Sequence, residues 1–114
     1  MATDDSCAER IAKLNDQSRT NWGTKNTRVV ITQGVQAFSE KEQSEVFERV
    51  RTFDDFSEDN DPHKERDFGN FTYAGQKLFW KVDYYNLELD GGSPDPADPD
   101  VTMRVLTILL ASEY

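Results

Sequence analysis

A single cysteine, Cys7, leaves no internal disulfide to form, so the fold must hold by its own core and suits a reducing compartment. No stretch approaches the roughly 20 apolar residues of a membrane span. The opening MATDDSCAER is acidic and has no apolar run, unlike a secretory leader, so a cytoplasmic protein is expected. No glycine-rich phosphate loop occurs: Gly91-Gly92 precedes prolines, and no strand–glycine–helix unit surrounds it. Nucleophilic cysteine or serine catalysis has no support, since Cys7 lies near the terminus and no nucleophile elbow is present. Histidine occurs once, at position 63.

Aromatic residues are plentiful. Seven Phe, four Tyr and two Trp in 114 residues supply roughly 150–250 Å² of burial each. This is a folding composition for one domain, not a disordered one. The net charge is −9. Residues 54–67 hold seven acids and two bases, and residues 86–100 hold five acids and no base, so each segment carries −5. The rest of the chain is nearly neutral. Direct nucleic-acid binding is disfavoured, because phosphates require basic contacts. A basic protein surface, or a cation, is the natural complement.

Taken in order, Asp4 to about Arg19 has an apolar stripe of Ala8, Ile11, Ala12 and Leu14 at helical spacing. Thr27–Gln33 alternates as a strand that Gly34 ends, and Val35–Phe38 reads as a short apolar connection. Ser39 and Glu42 have the spacing of a capping box, and Val46, Val50 and Phe53 follow as the buried stripe of a second helix. Phe68–Tyr73 and Gln76–Tyr85 form a hairpin around Ala74-Gly75, with Leu78, Trp80, Val82 and Tyr84 on one face of the second strand. Residues 89–100 are turn chemistry throughout. Asp98-Pro99 looks like a helix start, and Val101, Val105, Ile108 and Leu109 make a helical stripe after it. VTMRV also alternates as a strand, but the start signal and the length favour a helix. The expected fold is α+β, in the order α-β-α-β-β-α, with a small antiparallel sheet of about three strands and helices on one face.

The runs TRVVITQGV, FDDFSEDNDPHKERDFG, FWKVDYY and GSPDPADPDVTMRVLTILLASEY resemble the DUF3768 family over nearly all of the chain after the first helix. The resemblance implies a small bacterial protein of a kind carried on plasmids and other mobile elements. It implies no activity and transfers no catalytic residue, so residue roles rest on chemistry alone.

The acids admit two uses. In the first, Asp55, Glu58, Asp59, Asp61, Glu65, Glu88, Asp90 and Asp95 face outward and bind a basic surface, without cofactor or catalysis. On a mobile element the natural target is a nucleic-acid-binding host defence protein whose basic groove the carboxylates occupy. In the second, Asp54, Asp55, His63, Asp67 and Asp83 converge as a metal or acid/base site. Asp55, Ser57, Asp59 and Asp61 alternate like the start of a calcium loop, but Asn60 stands where glycine is needed and Arg66 where a bidentate Glu is needed. His63 with Glu65 and Asp67 is a sparse ligand set for zinc. Asp83, between Lys81 and Tyr85 on one strand face, reads first as a structural ion pair.

Overall fold

The computed structural model describes residues 4–57, 61 and 63–114. Helix α1 (Asp4–Thr20) leads to strand β1 (Thr27–Ile31), the single turn α2 (Gln33–Gln36) and helix α3 (Glu40–Arg51). Strands β2 (Phe68–Tyr73), β3 (Gln76–Tyr85) and β4 (Met103–Leu110) follow, with a closing 3-10 turn at Ala111–Glu113.

Helix α3 begins as its cap dictates. The Ser39 hydroxyl accepts from the Glu42 amide and the Glu42 carboxylate from the Ser39 amide, satisfying two end donors at once. The β2–β3 hairpin has the expected boundaries and register, with Phe68 opposite Lys81 and Tyr73 opposite Gln76. Its turn carries positive φ at Ala74 (52°) and Gly75 (78°).

Two expectations are corrected. The sheet has four strands in the order β1-β4-β3-β2, and it is mixed, because β1 pairs with β4 in parallel. Residues 103–110 form its central strand β4, where a closing helix was expected. The Asp98-Pro99 start signal serves a turn instead: the Asp98 carboxylate accepts from the Asp100 amide at 2.9 Å, and the Val101 amide donates to the Asp98 carbonyl at 3.3 Å. A strand with neighbours on both edges and Leu106, Ile108 and Leu109 all buried shows a continuous apolar run, which imitates a helical stripe. The expected connection at Val35 is the helical turn α2, with Val35 fully buried.

One face of the sheet is the core. Leu78, Trp80 and Val82 of β3 and Leu106 and Ile108 of β4 pack with Val35, Val46 and Val50. Arg19 enters this core from α1. Its guanidinium donates to the Val50 and Arg51 carbonyls at 3.0 and 3.1 Å, which ties off the end of α3. It also lies over the rings of Phe56 and Trp80, at 5.3 and 5.2 Å. Glu113 holds the C-terminal turn by accepting from the Thr32 hydroxyl at 2.5 Å and from the Gly34 and Leu110 amides at 2.8 and 2.9 Å, which together hold its carboxyl below its usual range.

Candidate functional site: an acidic end of the sheet

Residues 52–67 enter β2, and residues 86–102 join the end of β3 to the start of β4. In an antiparallel set these three termini lie at the same end of the sheet. Both segments of charge −5 therefore emerge together.

A buried polar hub fastens them to that end. Asn15 is fully buried on α1, and Arg104 is 3% exposed on β4. The Arg104 Nε donates to Asn15 Oδ1 at 2.8 Å. Asn15 Nδ2 donates to the Tyr84 hydroxyl at 2.8 Å and to the Glu65 carbonyl at 2.9 Å. The Tyr84 hydroxyl donates to Glu65 Oε1 at 2.9 Å. The Arg104 guanidinium also donates to the Pro96 carbonyl, and Arg10 reaches the Ala97 carbonyl at 3.3 Å. One hub thus grips the first segment at Glu65 and the second at Pro96. Burial lowers the Arg104 pKa, opposed by Tyr84 and Glu65. The Tyr84 phenol is pushed well up, chiefly by burial.

In the first segment most described acids have inward or lateral work. Asp61 is 8% exposed, and its carboxylate accepts from the Arg66 amide at 2.8 Å. Residues Lys64 and Arg66 adopt positive φ, 59° and 55°, and shape this tight loop. Glu65 belongs to the hub. Asp67 is half-buried, and its carboxyl titrates above the usual range through burial, with Glu65 and Asp61 adding to the effect. Asp54 and Asp55 are exposed and line a shallow concavity of about 410 Å³ beside Arg49 and Asn70. Glu58 and Asp59 lie outside the described residues.

The second segment turns its carboxylates outward. Glu88, Asp90 and Asp95 are exposed. The backbone beneath them is held by local bonds: Asn86 Nδ2 donates to Asp90 Oδ1 at 2.7 Å, the Asp90 amide donates to Asn86 Oδ1 at 3.1 Å, and the Ala97 amide donates to Asp95 Oδ1 at 3.1 Å. The buried Thr102 hydroxyl donates to the Asp95 and Asp98 carbonyls, both at 2.9 Å. Leu87 and Leu89 are 42% and 36% exposed among these acids.

The metal or acid/base set divides. His63, Asp67 and Asp83 line one concavity of about 310 Å³ with Phe68, Lys81 and Tyr114, whereas Asp54 and Asp55 line the other. The Lys81 ammonium donates to Asp83 at 2.8 Å, which raises the Lys81 pKa. Among the described residues no three His, Cys, Asp or Glu side chains come close enough to hold a metal ion. Nor, among them, is any helix long and apolar enough to cross a membrane.

Asn15, Tyr84 and Arg104 were not singled out from the sequence as a set. The signal was an arginine inside the apolar run VTMRVLTILL, and an asparagine in line with Ile11 and Ser18 on α1. A polar group on an otherwise buried stripe must find a partner.

No curated protein and no solved structure matches the chain. The family model for proteins of unknown function DUF3768 matches residues 31–113, from the end of β1 through the closing 3-10 turn. The chain therefore belongs to the DUF3768 family.

Proposed function

We propose that the protein is a non-enzymatic binding module that offers its acidic end to a basic surface on another protein. The observation that carries the reading is the exposure of Glu88, Asp90 and Asp95 on a segment already fixed by the Arg104 and Thr102 contacts. Carboxylates held in place before binding lose little conformational freedom on association, and their common field steers a basic partner inward. Leu87 and Leu89 add apolar contact area at the same place. A nucleic-acid-binding protein, including a host defence component, has the required basic groove, and the carboxylates stand in for phosphates.

The test is a pull-down with the protein as bait at low and high salt, repeated with Glu88→Lys, Asp90→Lys and Asp95→Lys combined. A basic protein recovered at low salt, and lost both at high salt and with the triple reversal, supports the reading. Recovery unaffected by the reversal sinks it.

A second reading, an acid/base enzyme, draws support from the convergence of His63, Asp67, Lys81 and Asp83 on one concavity. It requires a turnover that His63→Ala abolishes while the fold, followed by circular dichroism, is retained.

A further inference from the structure

The helices α1, α2 and α3 pack against one face of the sheet, through Val35, Val46 and Val50 and the Asn15 hub. The opposite face has no α-helix on it among the described residues, yet it is rich in large apolar side chains. Val30 and Tyr85 are 42% and 37% exposed, while Phe68, Phe79, Met103 and Val105 are half-buried. Tyr114 from the C-terminal turn packs edge-on to Phe79 at 5.4 Å, and Leu109 beside Phe79 is buried. Arg28, Thr72, Lys77 and Thr107 share this face, so about half of its positions are apolar, whereas a face meant for water alone is polar throughout.

We propose that this face is a homodimer interface, on which a second copy of the chain packs with β3 over β3 and the strands antiparallel. The charges choose the occupant. Near the centre of the face stand Lys81 and Asp83, two positions apart on β3 and already paired at 2.8 Å. A two-fold axis crossing the strands at the level of Val82 sets each Lys81 against the second copy's Asp83. It also sets each Tyr85 against the second copy's Phe79. The pattern is self-complementary, as a two-fold interface requires. The same axis places the two acidic ends at opposite extremes of the dimer. An axis along the strands would superimpose them, and like charges so placed repel.

The area is adequate. Strands of five, six, ten and eight residues, at about 3.4 Å per residue and about 4.8 Å apart, give a flat footprint of roughly 470 Å². Side-chain relief brings the accessible area toward the roughly 800 Å² per partner of a standard interface. The dimer does not rest on the acidic-end reading, although His63 and Asp67 of the first segment border the concavity at Lys81 and Asp83.

Sedimentation equilibrium over a wide concentration range tests it. The wild-type mass should rise from that of the 13.1 kDa chain to twice that value. Val105→Glu sets a carboxylate beside Asp83, its neighbour across the β3–β4 pair, and should raise the dimer dissociation constant at least tenfold. Val30→Glu on the edge strand should do the same with less risk to the fold. Lys81→Asp alone should give monomers, while Lys81→Asp with Asp83→Lys restores the complementary pattern and the dimer. A wild-type chain that stays monomeric at every concentration overturns the proposal. So does a dimer that survives both glutamate substitutions with the fold intact.

Discussion

The two acidic segments carry the same formal charge and use it in opposite ways. In residues 54–67 three of the five described acids are absorbed: Asp61 is buried against a backbone amide, Glu65 is bound to Tyr84, and Asp67 is half-buried with its ionisation suppressed. In residues 86–100 the side chains of Glu88, Asp90 and Asp95 stand in water while hydrogen bonds organise the backbone below. A run of acids in a sequence therefore reports charge but not availability. Availability is set by whether the backbone nearby has spare donors facing inward, as at Arg66, or caps itself locally, as at Asn86.

The contrast can be broken at its root by removing Arg104. Arg104→Met leaves Asn15 Oδ1 and the Pro96 carbonyl without their donor, at an expected cost of about 2–4 kcal/mol. Urea unfolding measures the loss, and amide exchange should show faster opening near residues 94–98. Asp61→Ala comes next, at about 1–3 kcal/mol, because the Arg66 amide loses its acceptor. A cost near zero at Asp61 would mean that the first segment is as free as the second.

The pH dependence sharpens the comparison further. The Asp67 carboxyl titrates above 3.8 in the fold, so the folded state holds its proton more tightly than the unfolded chain. Its ionisation costs nothing while both states are protonated, and the cost grows as pH rises through the unfolded value to the folded one. Asp67→Asn should therefore gain on wild type between acid and neutral pH, read as a shift of the urea midpoint. The smallest effect is expected from Asp95→Ser, which keeps a short oxygen acceptor for the Ala97 amide. It should change stability by no more than about 0.5 kcal/mol while weakening the salt-dependent pull-down.

How much of this was legible follows the physics of each element. The β2–β3 hairpin was readable because period-two alternation and its turn are local. The α3 cap was readable for the same reason. β4 was not: a central strand with apolar residues on both faces loses its alternation, and Arg104 in its middle looks solvent-facing when read alone. The parallel pairing of β1 with β4 was equally hidden, since nothing near Thr27 mentions residue 104. The acidic charge was plain, but its division into buried and outward groups depended on Asn15, Tyr84 and Arg104 meeting across the fold. The exposed sheet face was half legible: Lys81, Asp83 and Tyr85 were seen to share a side, but the lack of a covering helix among the described residues could not be seen.

The order of the strands also sets a timetable for synthesis. β4 lies between β1 and β3, so the middle of the sheet is the last strand the ribosome delivers. Thr27 waits for Arg104, 77 positions later, and until then β1 has no neighbour and β3 has one bare edge. Contacts of such sequence separation make folding slow and give little protection to a partial chain. The hairpin and α3 can form early, but Asn15 and Tyr84 lack Arg104 until β4 arrives. The sheet has an open slot between β1 and β3 until β4 fills it, and the same strand brings Arg104 to the hub.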